Sequence, residues 1–314
     1  MVELVVKRLL WGIPVLWLIL TLTFFLLRLA PGGPFDQDRE LSPAVEQLIA
    51  EKYQLDQSLP VQYAQYLKRV VSGDLGPSFQ YADLTVNQLI GLGLPVSLQI
   101  GFWALLLALL LGVALGAVAA LYANRWPDTV AMLTAVIGIS TPNFVIAPLL
   151  ILWLAVHWQW LPVGGWSGGE WRHLVLPVVT LSLPYIAAIA RLVRGSLLEI
   201  LSQPFIRTAQ AKGVAPSRVL LYHALRPALL PVISYLGPAA VGLMTGSVVI
   251  EQIFGIPGMG RFFVQGALNR DYTLVLGVVL VVGVMMLLFN LLVDVLYRWV
   301  DPRTVPTDAA GARG

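Results

Sequence analysis

The sequence of 314 residues has no cysteine and little charge. Without cysteine, the chain cannot form disulfides, thiolate metal sites or cysteine nucleophiles. Lysine, arginine, aspartate and glutamate make up 12% of the residues, about half the share of a typical soluble domain, whereas 58% are hydrophobic. Such a chain has too little polar surface to stay in water. The composition therefore predicts an integral membrane protein.

Motifs for catalysis are also missing from the sequence. No phosphate-binding loop of the form G-x-x-x-x-G-K-[ST] occurs, which argues against ATP hydrolysis by this chain. His157, His173 and His223 stand far apart and lack the spacing of metal ligands. Ser182, His173 and Asp294 would make a hydrolytic triad only if they met at one membrane depth, and their positions in the chain argue against it. We predict no catalytic residue, no metal site and no cofactor in this chain.

Apolar runs of about 20 residues, the length that crosses a hydrocarbon core, are the main positive signal. They cover residues 9–29, 96–122, 130–156, 174–193, 228–250 and 274–295. Each run is predicted to be a helix, because unpaired backbone groups in lipid cost several kcal/mol apiece. The first run is too long for the hydrophobic part of a signal peptide, so we expect an uncleaved anchor. Within the second run, the spacing of Gly112 and Gly116 predicts close helix packing.

The distribution of positive charge orients these six spans. With a cytoplasmic N-terminus, 12 of the 20 lysines and arginines fall on the cytoplasmic side. Most of the others flank or lie in one long outer loop, which counts for little because long loops translocate regardless of charge. We therefore predict two cytoplasmic termini. The predicted divisions are an N-terminal helix (1–30), an extracytoplasmic segment (31–93), a five-helix core (94–298) with a basic inner loop (194–227), and a cytoplasmic tail (299–314).

The basic inner loop has a pattern that topology alone does not explain. Residues 205–213 have the pattern of a short helix with small side chains on one face, ended by Gly213. Ser217 could cap the helix expected over 219–225. Small side chains allow close approach, and neighbouring basic residues can reach acidic groups on a partner. The pattern predicts that this short helix docks in a groove of another protein.

Specific stretches of the sequence resemble a known family. Thr208-Ala-Gln-Ala-Lys-Gly213, followed by His223-Ala-Leu-Arg-Pro-Ala-Leu-Leu-Pro231, resembles the EAA loop of the permease subunits of ABC importers. The family pattern has Glu-Ala-Ala where this chain has Arg207, Thr208 and Ala209, a departure typical of the peptide and nickel permeases. Residues 29–35, 73–79, 81–87, 249–260, 266–272 and 293–297 are similar to the B subunit of oligopeptide permeases.

The resemblance implies the type I ABC-importer permease fold, an all-α membrane protein with six transmembrane helices. It implies a subunit in the plasma (inner) membrane that forms half of an oligopeptide pathway and works by alternating access. The implied partners are a second homologous permease, two cytoplasmic ABC ATPases that hold MgATP, an extracytoplasmic peptide-binding protein, the peptide and membrane lipid, with no nucleic acid. ATPase coupling is assigned to Arg207, Thr208, Ala209, Lys212 and Gly213.

A glycine-rich segment after the fifth span is the predicted outer gate. Irregular backbone at membrane depth is tolerated only where it lines a cavity or is buried in protein. The predicted gate residues are Glu251, Phe254, Gly255, Pro257, Gly258 and Gly260. Taken alone, Glu251 is equally compatible with an interfacial charge.

Polar residues within the spans have two interpretations. They either line the pathway or form hydrogen bonds between helices. The candidates are Asn143, Ser234, Tyr235, Thr245 and Ser247. Near the end of the last span, Asp294 is expected to pair with Arg298, four residues further along the helix.

Two other classes of protein compete with an importer subunit. A membrane receptor or scaffold could signal through the basic inner loop without transporting a solute. An intramembrane hydrolase would need a nucleophile and a base at one depth, and no such pair is evident in the sequence.

Overall fold

The computed structural model of the protein describes residues 2–29, 55–81, 83–245 and 248–300. These ranges are mostly helical and hold no strand apart from a bridge between Pro77 and Thr85. The main helices are α1 (Val2–Leu29), α2 (Leu59–Val71), α3 (Val86–Leu121), α4 (Trp126–Ser140), α5 (Asn143–Leu150), α6 (Trp171–Leu201), α7 (Pro204–Ala211), α8 (Leu230–Met244), α9 (Val248–Ile253), α10 (Met259–Leu268) and α11 (Tyr272–Val300). Further helical pieces cover Ile151–His157, Ser167–Gly169, Pro216–Arg218, Val219–Ala224 and Leu225–Ala228. Much of the predicted extracytoplasmic segment, Ser247 and the chain after residue 300 lie outside the described residues.

Membrane spans agree with the predicted number when one bent pair of helices is included. In the described residues, five helical stretches are long and apolar enough to cross a membrane. These are Val5–Leu29, Val86–Leu121, Trp171–Leu201, Leu230–Ile253 and Tyr272–Tyr297. A sixth span results if Trp126–Ser140 and Asn143–His157 count as one. The all-α fold is confirmed.

The third span is where the prediction of one continuous helix was wrong. α4 ends at Ser140, the chain bends by 104°, and α5 begins at Asn143. Pro142 causes the break, because proline lacks an N–H and disfavours the helical conformation of the residue before it. Thr141 accordingly has extended angles, φ −90° and ψ 118°.

The long helix α3 lies at the centre of the bundle. It starts at a capping box in which Thr85 and Gln88 bind each other's backbone N–H. Along α6 it makes close backbone contact through Gly112 and Gly116, which confirms the predicted close packing. A Cβ atom at position 116 would lie 2.5 Å from the carbonyl oxygen of Ala190. Because glycine has no side chain, Gly112 and Gly116 allow α3 and α6 to approach this closely.

A single methyl group at this crossing should loosen the bundle. We expect Gly116→Ala to lower the free energy of unfolding by about 1–3 kcal/mol, because the rigid backbone of α6 cannot move aside locally. The midpoint of thermal unfolding in detergent measures the effect. Gly91→Ala is the matched control, since position 91 is on the same helix and has no atom within 4 Å of the added Cβ. Equal midpoints for the two variants would contradict the assigned crossing.

The bundle has two distinct ends. We call one the docking end, where Ala120 of α3 and Leu197 of α6 pack on residues 204–228, which we call the docking segment. We call the other the glycine end, where Ile100 of α3 packs on Phe254. At the glycine end, α1 also finishes against the start of α11, with Phe24 and Leu276 in one cluster.

The first and last spans are joined at the docking end by an ion pair. Arg8 Nε lies 2.7 Å from Asp294 Oδ2, and Nη2 of Arg8 donates to Oδ1 at 3.2 Å. The start of α1 and the end of α11 are therefore on the same side of the bundle as the docking segment. The expected pairing of Asp294 with Arg298 stays a prediction, because the Arg298 side chain is outside the described residues.

Candidate functional site

The short helix predicted in the inner loop is present as α7. It runs from Pro204 to Ala211 and is followed by Gly213 at φ +76°, a left-handed conformation that glycine adopts without strain. The predicted cap at Ser217 was wrong. The next helical turn begins at Pro216, after Ala215 in the capping position, and no side chain caps it. Proline is well suited to a first helical position, so Ser217 falls inside the turn.

One face of α7 is seated on the bundle. Ile206 is fully buried and Ala209 is 7% exposed, and they are three residues apart, so they share a face. Both pack in a cluster with Ala120, Leu197, Val219, Ala224 and Ala228. This seat attaches the short helix to the ends of α3 and α6, so a movement of one requires a movement of the others.

The other face of α7 is open. Of the five residues assigned to ATPase coupling, Arg207, Thr208, Lys212 and Gly213 are exposed, and only Ala209 faces the bundle. The Arg207 and Lys212 side chains give this face a positive charge. An exposed basic face on a firmly seated helix is suited to binding an acidic or polar groove.

Large apolar side chains are also exposed elsewhere on the docking segment. Phe205 is 48% exposed, Leu221 is 55% exposed and Tyr222 is 73% exposed, although a solvent-facing loop has no need of such residues. Contiguous exposed apolar groups with a polar rim mark sites of protein contact. Sequence reasoning missed all three, because their exposure depends on how the chain folds back after Gly213.

An ion pair between buried Asp128 and partly exposed Arg194 holds α4 against α6 beside the docking segment. Arg194 donates from Nε to Asp128 Oδ1 at 2.6 Å and from Nη2 to Oδ2 at 2.7 Å. The backbone N–H of Asn124 donates to the same carboxylate at 2.9 Å. Bidentate pairs of this kind are strong and directional. Nothing in the sequence pattern joins Asp128 to Arg194, which lies 66 residues further along the chain.

At the opposite end, the predicted gate is built around a buried carboxylate. Glu251 is 2% exposed, which is incompatible with an interfacial charge. Ser97 Oγ donates to Oε1 at 2.7 Å, and the backbone N–H of Arg261 donates to Oε2 at 2.9 Å. The N–H of Met259 donates to Ser97 Oγ at 2.9 Å. The carboxylate thus caps the positive N-terminus of α10 and connects it to α3.

Glycines make room for this carboxylate. A Cβ at Gly258 would overlap the carboxyl group of Glu251, and one at Gly260 would lie 3.1 Å from Oε2. Gly255 has φ +64°, which turns the chain after α9. Phe254 is 1% exposed, and its carbonyl accepts a hydrogen bond from the N–H of Gly165 at 2.7 Å. Of the six predicted gate residues, only Gly255 and Pro257 are exposed.

A second buried carboxylate connects the 75–81 stretch to the last span. Asp271 is fully buried and accepts hydrogen bonds from the Ser78 hydroxyl and from the backbone N–H groups of Phe79 and Gln80, the latter two at 3.1 Å. It also accepts from the N–H of Leu274 at 3.0 Å, at the first turn of α11. Sequence reasoning missed this role, because Asp271 and Ser78 are 193 residues apart.

The pathway candidates lie on two parts of the bundle. Asn143 is half-buried at the start of α5, and its Oδ1 has no hydrogen-bond partner in the described part of the chain. Ser234 is exposed on α8 and donates to the carbonyl of Leu230, whereas Thr245 donates to that of Val241. The ring of Tyr235 is 6.4 Å from that of Tyr185. Their role in a pathway stays a prediction, and Ser247 lies outside the described residues.

Comparison with known proteins covers almost the whole chain. Residues 112–306 match the family described as binding-protein-dependent transport system inner membrane component, and residues 1–81 match the N-terminal part of such membrane components. The oligopeptide transport system permease protein OppB of Haemophilus influenzae is 51% identical over 304 residues, which cover 96% of this chain and 99% of that protein. OppB of Escherichia coli K12 is 50% identical over 303 residues, with the same two coverages.

More distant proteins share the fold. The dipeptide transport system permease protein DppB of Bacillus subtilis is 43% identical over 285 residues, which cover 91% of this chain and 92% of that protein. Among solved structures, an inward-facing MetNI methionine ABC transporter is 20% identical, with a TM-score of 0.55. The match covers 68% of this chain and 96% of that one.

Proposed function

Because the chain belongs to the family of binding-protein-dependent transport system inner membrane components, we propose that it forms one half of an oligopeptide pathway in an ATP-driven importer. The relatives named oligopeptide permease share 50–52% of their residues with it, and the named dipeptide permeases share 38–43%. The difference in identity favours oligopeptides as the substrate class.

The observation that carries the proposal is the seated helix α7. Ile206 and Ala209 hold it on the bundle, while Arg207, Thr208 and Lys212 remain exposed on its other side. A helix that is fixed on one side and open on the other can receive a force from a partner and pass it to the spans. This arrangement favours an importer subunit over a receptor or scaffold that signals through a flexible basic loop.

The partners follow from the type of transport system. Two cytoplasmic ABC ATPases would hold MgATP and receive the α7 helices of this chain and of a second, homologous permease. An extracytoplasmic peptide-binding protein would deliver the peptide at the glycine end. Closure of the ATPases would rock the two permeases between inward-facing and outward-facing states, with residues 251–260 as the outer gate.

The proposed location is the plasma (inner) membrane, with both termini cytoplasmic. The docking end has the charges expected of a cytoplasmic surface, including Arg125, Arg207, Lys212, Arg218 and Arg226, all exposed. The glycine end would then face outward. Selectivity would come mainly from the binding protein, because Ser234, Thr245 and their small neighbours on α8 suit many peptides.

Reconstitution in liposomes tests the function. The chain, the second permease, the two ATPases and the binding protein should together take up oligopeptides in the presence of ATP. The same peptides should raise ATP hydrolysis severalfold, because the loaded binding protein favours the state in which the ATPases close. A panel of oligopeptides, dipeptides and single amino acids defines the substrate class.

Assembly must be measured separately from transport. The chain lacks cysteine, so Lys212→Cys offers a single crosslinking site on the exposed face of α7. If the Lys212→Cys chain crosslinks to an ATPase but no peptide stimulates ATP hydrolysis, oligopeptides are refuted as the substrate class. Stimulated ATP hydrolysis without peptide inside the liposomes would favour a receptor instead.

A further inference from the structure

A polar cavity lies at the glycine end, outside the helices that hold Glu251. It has a volume of about 290 Å³, far more than one water molecule needs. The ends of α1 and α2 and the start of α11 surround it. Its polar lining consists mainly of Arg28, Gln62, Gln65, Tyr66, Arg69 and Asp74. Neither the docking segment nor residues 251–260 contribute to it.

Two buried polar atoms of this lining have no hydrogen-bond partner among the residues that the structure describes. Gln62 is 9% exposed, and its Nε2 donates to the carbonyls of Leu55 and Gln57, at 3.1 and 2.7 Å, which fixes the direction of the amide. Its Oε1 makes no hydrogen bond. Tyr66 is 7% exposed, and its hydroxyl makes none either. Buried polar groups are nearly always paired, so both atoms mark places where a ligand can bind.

The cationic lining favours an anion. The guanidinium of Arg28 lies between the rings of Phe24 and Tyr272, at 5.4 and 5.1 Å from their centroids, which holds it in place. Burial raises the pKa of the Tyr66 hydroxyl above its ordinary value, so this group keeps its proton and can donate. Arginine with a fixed hydroxyl donor is suited to the oxygens of a phosphate.

The same cavity also requires a hydrogen-bond donor from its ligand. Gln62 Oε1 is a carbonyl oxygen and can only accept, and the two bonds donated by Nε2 fix which end of the amide carries the oxygen. The carboxylate of Asp74, exposed at the edge of the cavity, is a second acceptor. A suitable ligand therefore joins a phosphate to an N–H or O–H group on a short linker.

The surroundings of the cavity are those of a membrane surface. α1 and α11 both span, and Arg28 is in the last turn of α1. The face of α1 turned away from the cavity is strongly apolar, with Leu22 55% exposed, Leu26 66% exposed and Leu29 76% exposed, as expected where a spanning helix meets lipid. A headgroup in the cavity could extend its acyl chains into the bilayer beside the spanning helices α1 and α11. Basic pockets beside spanning helices bind lipid headgroups in this way.

We propose that this cavity binds the headgroup of a phospholipid that has both a phosphate and a hydrogen-bond donor. The phosphate would lie between Arg28 and the Tyr66 hydroxyl, and the donor would bind Gln62 Oε1. Phosphatidylethanolamine fits both requirements. Phosphatidylcholine has the phosphate, but its trimethylated nitrogen has no hydrogen to donate. The bound lipid would join α1 and α2 to the start of α11.

Lipid titration of the complete, delipidated importer tests the site. Native mass spectrometry should show that phosphatidylethanolamine binds at least tenfold more tightly than phosphatidylcholine with the same acyl chains. Tyr66→Phe should weaken phosphatidylethanolamine binding about tenfold, because it removes one hydrogen bond to a charged group. Arg28→Gln should weaken it further.

Tyr63→Phe is the matched control on the same helix. The Tyr63 hydroxyl is hydrogen-bonded to Thr21 Oγ1 at 2.5 Å and does not line the cavity, so this variant should bind lipid like the unaltered chain. Equal affinity for the two lipids, or equal effects of Tyr63→Phe and Tyr66→Phe, would overturn the proposal. Free phosphoethanolamine that binds as tightly as the lipid would exclude a lipid site. Displacement of the lipid by a short peptide would assign the cavity to peptide instead.

Discussion

Replacing Ile206 with aspartate is expected to abolish peptide-stimulated ATP hydrolysis and to reduce peptide uptake more than a hundredfold. Ile206 is fully buried under α7. Its burial stabilises the seat by roughly 1.5–3 kcal/mol, and an unpaired carboxylate there would cost several kcal/mol more. The helix would leave its seat on the ends of α3 and α6. ATPase movement would then no longer reach the spans.

Two further measurements make this prediction specific. Ile206→Val removes one methylene group, costs about 0.5–1.5 kcal/mol and should keep peptide stimulation. Crosslinking from Lys212→Cys reports whether the Ile206→Asp chain still meets an ATPase. If Ile206→Asp preserved both stimulation and uptake, force would have to enter the spans by another route.

A methyl group at Gly258 should have a comparable effect at the other end of the bundle. The Cβ of Gly258→Ala would overlap the Glu251 carboxyl group, which is enclosed by Ser97 and the N-terminus of α10. The carboxylate would have to give up one or more hydrogen bonds while remaining buried. Each buried group left unpaired costs about 1–3 kcal/mol. We expect uptake to fall by about a hundredfold or more, as measured in the reconstituted importer.

Gly255→Ala is the control for this substitution. Position 255 has no atom within 4 Å of an added Cβ, but its φ of +64° makes alanine mildly strained. The cost should be about 1 kcal/mol. Gly255→Ala should therefore retain most of the uptake. Similar losses in both variants would show that backbone strain, and not the space around Glu251, causes the loss of uptake.

The spans and the short helix α7 could be predicted from the sequence because both depend on properties of neighbouring residues. The length and hydropathy of the apolar runs decide whether a segment can span. Gly213 ends α7 because glycine adopts the left-handed conformation without strain. A glycine after a helical pattern can be recognised in a short stretch of sequence. The same local information was misread twice. Pro142 in the third run was not treated as a break, and Pro216 was not recognised as the start of the turn containing Ser217.

The bonds that hold the ends of the bundle together could not be predicted in this way. Asp128 binds Arg194 across 66 residues, and Ser97 binds Glu251 across 154. Helical spacing relates positions three or four residues apart, which is why it suggested Arg298 as the partner of Asp294 and could not suggest Arg8. The inward direction of Ala209 likewise depends on where α3 and α6 end.

The length of α3 has a mechanical consequence for the whole importer. Ser97, which binds the Glu251 carboxylate, and Ala120, which packs on the docking segment, belong to this one continuous helix and are about 35 Å apart along it. α3 can therefore serve as a lever arm whose pivot is the tight glycine crossing with α6. A tilt of about 10° would displace one end relative to the other by about 6 Å. In the proposed importer, such a tilt would let a small closure of the ATPases produce a displacement of several Å at the proposed outer gate.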